Sequence, residues 1–382
     1  MAKNILTDNP VYVVGIGFHP YQRTSSQSYV SLGLAATREA LKDAAISWPS
    51  VEVAYTGTAM LGMGASRIML SRLGATGIPM TQVENASASG SSAVAVASLE
   101  IASGRSDIAL ALGVDKQSGG LGAAPARAGI NNLEAGAIVP FTHFALLASE
   151  YMHLHGTKPE QVAAVAFKNH RNGANNPYAQ RQKHRSLEEI MSEPISGSLT
   201  RLQCCPVGEG AAAVILASES GIKKLGINKG RSVKILSSVT RTEGLYSPGE
   251  GIDAALTAET ARLAFDQSSV EPSDIDVLEV HDAFSIEELL YAEAVGITKP
   301  GETASLIQSG SLDIGGKCAI SPSGGLLAMG HPIGPTGVGQ VAEITRQLRW
   351  EAGVRQQPNA QTALAHMVGI GAVCVVHILQ KN

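Results

Sequence analysis

The 382-residue sequence predicts an α/β protein built from two similar halves, and three observations carry that reading. Hydrophobic residues make up 44% of the chain and charged residues 16%, with 41 glycines, which suits broad buried sheets joined by tight turns. Short apolar runs alternate with segments of helical period, the pattern of strands linked by crossover helices in a mostly parallel sheet. An order of strand, helix, strand, glycine-rich turn, helix, strand runs from residue 11 and recurs from about residue 233, which reads as an internal duplication.

In order, 11–17 (VYVVGIG) is a buried strand ending in a glycine turn. Residues 31–45 have helical periodicity with Ala and Leu on one face, and 51–55 is the next strand. Gly15-Ile16-Gly17 lacks the third glycine and the helix of a dinucleotide loop. Residues 80–84 lead into a turn of small residues, then a helix over 93–104 and a strand over 108–113. The alternation breaks over about 118–207, an insertion with a Gly/Ala-rich run at 119–128 and helices near 144–154 and 159–170. It also holds a basic tract that includes Arg181, Lys183 and Arg185, suited either to substrate phosphates or to a solvated face. A strand over 208–218 closes the first half, 1–230. The second half, 231–382, reads as strands at 233–239, 274–280, 363–365 and 371–379, with helices at 254–266 and 336–350.

The net charge of −4 and 4% aromatic content give no reason to expect nucleic acid or an anionic membrane as partner. No apolar run reaches the length of a membrane span, and Asp8 and Pro10 interrupt any signal-peptide pattern. Cys204, Cys205, Cys318 and Cys374 fit no zinc or redox spacing, so no metal is expected, and free thiols suit a reducing cytoplasm.

Four stretches carry candidate chemistry. Ser87, in Asn85-Ala86-Ser87-Ala88-Ser89-Gly90, sits just ahead of an apolar helix whose N-terminal N–H groups and dipole suit a developing negative charge; the plainer reading is a helix cap. His281-Asp282-Ala283-Phe284 follows a buried strand and is either an acid–base pair or a hydrogen-bonded core element. His331 lies in Gly330-His331-Pro332-Ile333-Gly334, where dense Gly and Pro suit a fixed base. His366-Met367-Val368-Gly369 ends a strand with glycines whose N–H groups suit a ligand.

Taken together, these stretches and Ser323-Gly324-Gly325 resemble the active-site loops of the thiolase superfamily, particularly the sterol-carrier-protein type and its bacterial relatives. The resemblance spans nearly the whole chain. It implies a duplicated, five-layered αβαβα fold with an inserted loop domain, coenzyme A thioester substrates with no bound cofactor, and a homodimer. It assigns Ser87 the acyl-accepting position, His331 the activating base, His281 a donor to the first oxyanion hole and His366 a catalytic place in the fourth loop. The N–H groups of Ser87 and Gly369 form the second oxyanion hole. Arg181, Lys183, Arg185, Ser323 and Gly324 are the expected coenzyme A contacts. A small zinc-ribbon and OB-fold partner protein is a further expectation. Two departures stand out: Ser87 replaces the family's nucleophilic cysteine, and Ala283 replaces the subgroup's second cysteine. They leave open an engineered Cys-to-Ser replacement, a natural serine variant that still transfers acyl groups, a retro-aldol lyase, and a non-catalytic CoA-binding subunit.

Overall fold

The computed structural model describes residues 4–116, 140–245, 252–370 and 373–382. The Gly/Ala-rich run expected at 119–128 lies outside them. Ten strands form one sheet: β1 (Val11–Gln22), β2 (Val53–Gly57), β3 (Met80–Val83), β4 (Ile108–Asp115), β7 (Glu209–Ser218), β8 (Val233–Thr242), β9 (Val277–Glu279), β10 (Ala319–Ile320), β11 (Thr362–Gly369) and β12 (Val373–Lys381). The short β5 (Pro194–Ser196) and β6 (Leu199–Thr200) pair separately within the insertion.

Sheet order is β10-β9-β11-β12-β8-β1-β7-β4-β2-β3. Read outward from the centre, β1-β7-β4-β2-β3 and β8-β12-β11-β9-β10 have the same layout. The two groups meet only where Val11, Tyr12 and Val13 pair antiparallel with Ile235, Lys234 and Val233. The sheet is mixed, where the alternation predicts a mostly parallel one. β2–β3, β2–β4, β9–β10 and β9–β11 are parallel; β7 and β12 are antiparallel to both their neighbours. β12 follows β11 after a short turn, too short for a crossover, so those two strands must run antiparallel.

Side chains alternate between faces with period two, and this divides the core. On β4, Ile108, Leu110, Leu112 and Val114 pack outward with the Tyr29–Asp43 helix. Ala109 and Ala111 face the other way, as do Ala363 and Ala365 of β11. These small side chains meet two almost fully buried helices, Ser89–Ala102 and Thr336–Leu348, which touch strands of both halves. On the far side of β11, Leu364 and Val368 pack with the helix Ser285–Val295 and the insertion helix Pro159–Ala174. The result is helix, one half of the sheet, paired helices, the other half of the sheet, helix.

The first helix of the central pair begins at Ser89, four residues ahead of the apolar run, because Ser89 to Ser92 are buried within it. The Ser285–Val295 helix carries no strong polar-to-apolar alternation and is absent from the sequence expectation. At the seam between the two central helices, glycine is required. A Cβ on Gly90 would overlap the carbonyl of Gly334, and one on Gly337 would overlap Ser91. These contacts let the two helix N-termini approach each other.

Buried acids tie the second half together. Glu279 on β9 accepts the backbone N–H of Ser323 at 2.9 Å and its hydroxyl at 2.7 Å. Burial, reinforced by the neighbouring Glu343 carboxylate, pushes the Glu279 pKa up to about 8, from 4.5 for an ordinary glutamate. A folded-state pKa above the unfolded one favours folding with the proton on. That contribution is full below about pH 4.5 and is lost as the pH rises through about 8. Glu279→Gln, whose amide stays neutral, is expected to melt with the parent protein near pH 5. Near pH 9 it is expected to be more stable, by on the order of 2 kcal/mol, as read by thermal unfolding at the two pH values.

Candidate active site

Ser87 is held on a strained turn. Ala86 has φ of +49°, a conformation rarely adopted with a side chain. Three hydrogen bonds fix it: Ala86 N–H to Glu84 Oε1 (2.6 Å), Asn85 N–H to Ser89 Oγ (2.9 Å), and Ser89 Oγ–H to the Ala86 carbonyl (2.6 Å). The turn delivers Ser87 to the N-terminal end of the Ser89–Ala102 helix, where orphan N–H groups and the helix dipole favour negative charge.

His331 arrives from the other half. Ser87 Oγ lies 3.0 Å from His331 Nε2, and His331 Nδ1 lies 2.9 Å from Thr336 Oγ1. For the serine hydroxyl to donate to Nε2, the imidazole proton must sit on Nδ1 and be donated to Thr336. Burial, with His281 adding to it, holds the His331 pKa well below the usual histidine range. The ring is therefore neutral at neutral pH, the state a general base requires.

The loop that carries His331 is strained at Ile333, a β-branched residue with φ of +57°. Asp115, at the end of β4, holds it in place. Its carboxylate accepts the N–H of Gly334 (2.7 Å), Ala59 (3.0 Å) and Met60 (2.9 Å), and the hydroxyl of Thr58. Tyr21 donates its hydroxyl to the Pro335 carbonyl (2.8 Å). Both anchors belong to the first half of the chain, which also carries Ser87, so the His331 loop is positioned by the half that holds its hydrogen-bond partner. Burial raises the Asp115 pKa to about 6.

His281 stands beside this pair, its ring edge-to-face with that of His331 at a centroid distance of 5.4 Å. Its Nδ1 is 3.0 Å from Glu287 Oε1, and its buried Nε2 has no partner among the described residues. Glu287 also accepts the Phe284 N–H (2.8 Å) and the Tyr291 hydroxyl (3.3 Å). Gly369 reaches the serine turn from β11: a Cβ there would overlap the Asn85 carbonyl and lie 3.4 Å from the Ala88 Cβ. Ser87, His331, His281 and Gly369 thus converge.

Other expected site residues have different duties. His366 is fully buried; its Nε2 meets Thr257 Oγ1 at 2.9 Å and its Nδ1 accepts the His281 N–H at 3.4 Å. With both nitrogens engaged and its pKa lowered by burial to about 3, it supports the His281 backbone and does not touch the reacting groups. Ser323 spends its hydroxyl and N–H on Glu279, and Gly324, at φ of +104°, lies against Gly173 of the insertion helix, so neither is presented to a ligand. Arg181 donates to the carbonyls of Cys204 (2.9 Å) and Leu327 (2.8 Å), a bracing role that replaces the expected phosphate contact. Lys183 and Arg185 are paired with Glu189 at 3.8 and 3.3 Å, which favours the solvated-face reading of the tract.

Sequence reasoning missed Asp115, Thr336 and Glu287. Asp115 ends a strand with no motif around it. Glu287 sits three residues after Phe284, where a glutamate reads as an ordinary helix-capping residue. It also missed a cleft of about 470 Å³ lined by Arg23, Phe141, Arg181, Arg201 and Cys205, among others. The cleft borders the active-site loops, since Cys205 N–H bonds the Ala283 carbonyl at 2.7 Å and Gln180 N–H bonds the Met329 carbonyl at 2.9 Å. Among the described residues no group of His, Cys, Asp or Glu is placed to hold a metal ion.

A serine hydroxyl hydrogen-bonded to a neutral imidazole at the junction of two like α/β halves is an arrangement suited to acyl transfer. Comparison with known proteins gives the class its family. Residues 11–191 match the thiolase N-terminal domain and 247–381 the thiolase C-terminal domain-like model. Human sterol carrier protein 2 is 39% identical over 97% of this chain and 72% of its own length. The benzoylsuccinyl-CoA thiolase subunit BbsB of Thauera aromatica is 35% identical, over 95% of this chain and 96% of that protein. An acetyl-CoA acetyltransferase of Methanothermobacter thermautotrophicus is 34% identical over 97% and 99%. Among solved structures, an Ltp2-ChsH2(DUF35) aldolase matches with a TM-score of 0.81 at 23% identity, over 97% of this chain and 98% of that one. Human mitochondrial 3-ketoacyl-CoA thiolase in complex with CoA matches with a TM-score of 0.75 at 19% identity, over the full length of both chains. The chain belongs to the thiolase family and is an acyltransferase of that class.

Proposed function

We propose that the chain forms or cleaves the carbon–carbon bond next to a coenzyme A thioester, as in thiolysis of a 3-oxoacyl-CoA, with Ser87 accepting the acyl group. The observation that carries this reading is the 3.0 Å contact between Ser87 Oγ and the neutral His331 Nε2. His331 takes the serine proton as Oγ attacks the 3-oxo carbon, and the helix N-terminus with the Ser87 and Gly369 N–H groups stabilises the oxyanion. The Cα–Cβ bond breaks, and the departing thioester enolate takes the proton from His331 at Cα; free coenzyme A then gives its thiol proton to His331, its sulfur takes the acyl group, and His331 returns the proton to Ser87 Oγ. Coenzyme A is a substrate here, and Arg23, exposed at the mouth of the cleft, suits one of its phosphates.

The same reading divides the chain into halves at 1–230 and 231–382 and places the protein in the cytoplasm, which its four free cysteines support. It also includes a homodimer. The four-residue edge strand β3 has only β2 as a neighbour, and Val96 and Leu99 are exposed on the otherwise apolar Ser89–Ala102 helix. A small zinc-ribbon and OB-fold partner belongs to the proposal as well, supported by the relative named as a thiolase subunit and by the DUF35-containing aldolase.

A second reading, retro-aldol cleavage of a 3-hydroxyacyl-CoA without an acyl-enzyme, is favoured by the hydroxyl at position 87, which ionises far less than a thiol. Two assays separate the readings. The transferase consumes a 3-oxoacyl-CoA only when free coenzyme A is added and shows an acyl adduct on the Ser87 peptide by mass spectrometry. Release of an aldehyde or ketone from a 3-hydroxyacyl-CoA without free coenzyme A, and with no adduct, would replace the first reading by the second.

A further inference from the structure

The Glu287 carboxylate settles which nitrogen of His281 carries its proton. A carboxylate only accepts, so the 3.0 Å contact from Nδ1 to Oε1 puts the proton on Nδ1. Glu287 is itself fixed by the Phe284 N–H and the Tyr291 hydroxyl, so it cannot readily turn away. When the ring carries that single proton, Nε2 is left with a bare lone pair. That atom is buried, has no partner among the described residues, and belongs to the ring lying edge-to-face on His331. A lone pair cannot donate to an oxyanion; it accepts a proton. The arrangement is a carboxylate–imidazole dyad, separate from the Ser87–His331–Thr336 chain and packed directly beside it.

We infer that Glu287 is a positioning residue that makes His281 the base for a substrate hydroxyl, giving this site a retro-aldol activity toward 3-hydroxyacyl-CoA thioesters. The inference rests on the second reading above and supplies its base. Nε2 of His281 takes the proton of the β-hydroxyl. The O–H electron pair forms the new carbonyl, the Cα–Cβ bond breaks, and its electron pair enters the thioester as an enolate. The enolate then takes the proton back from His281 at Cα. The products are an aldehyde or ketone and a shortened acyl-CoA, with no oxidant, reductant or added coenzyme A.

The test measures carbonyl release from straight, branched and aromatic 3-hydroxyacyl-CoA esters by the parent protein, Glu287→Gln and Glu287→Asp. A glutamine amide can donate to Nδ1 and so favours the opposite tautomer. Glu287→Gln is therefore expected to lose ~10²-fold in kcat with KM within about twofold, the loss of a general base. Glu287→Asp, which keeps the carboxylate, is expected to recover at least about tenfold of that loss. A folded Gln variant with the parent's kcat overturns the inference and leaves the lyase reading standing. If the Gln variant does not fold, a folded Asp variant with no activity likewise overturns it. A parent protein that releases no carbonyl from any of these esters, while carrying out thiolysis, removes the lyase reading and the inference with it.

Discussion

Ser87→Cys is expected to raise thiolysis of a 3-oxoacyl-CoA by ~10²-fold or more, because a thiol beside a neutral imidazole is partly ionised near neutral pH and a serine hydroxyl is not. The geometry needs little change: the sulfur would replace an oxygen already 3.0 Å from His331 Nε2, at a helix N-terminus that favours the thiolate. Stopped-assay rates with free coenzyme A, with and without prior thiol alkylation, would measure the gain. Protection from alkylation by a coenzyme A ester should accompany it. A Cys variant that is folded and alkylated but gains no thiolysis would show that the site is not arranged for acyl transfer.

His331→Asn is expected to lower kcat in the Ser87 form by about 10²- to 10⁴-fold, the usual contribution of a positioned general base. The pH profile should carry the same signature. Burial keeps the His331 pKa well below the ordinary histidine value, so the parent's activity should show no acid limb near pH 6.5 and should fall only at clearly lower pH. Protonation at low pH removes the lone pair that accepts the serine proton, so loss on the acid side is the required sign. Initial rates across the acid range, compared with the Asn variant, check both points. An acid limb at the ordinary histidine pH would mean that His331 is not held in the environment described.

Much of the fold is legible in the sequence because burial leaves a periodic mark. The runs at β1, β4 and β7 are apolar almost without a break, and the recurrence after residue 233 reveals the duplication. Strand direction is less legible: the few residues between β11 and β12 force an antiparallel pair, but the long insertion before β7 permits either direction, and apolar content marks neither. In the site, Ser87, His281, His331 and Gly369 are readable because glycine, proline and small residues cluster around chemistry at loops. His366 shares that signature and is nonetheless structural: a histidine between glycines looks the same whether its nitrogens face substrate or Thr257. The basic tract fails for a similar reason, because sequence shows charge but not the carbonyls and the carboxylate that already hold it. Asp115 and Glu287 are invisible because their partners are distant in sequence or disguised as a helix cap.

The glycine seam between the two central helices has a consequence for how this protein can change. Ser87 and His331 are each rooted near one of the two helix starts, and those starts touch backbone to backbone at Gly90 and Gly334. The glycine contacts leave little room between them to absorb error. Any substitution in the middle layer that tilts one helix against the other by a fraction of an ångström alters the distance between oxygen and nitrogen directly. Reactivity and core packing are therefore one inherited trait in this chain: variation far from the pocket, in the alanines that face the paired helices, tunes turnover as surely as variation within it.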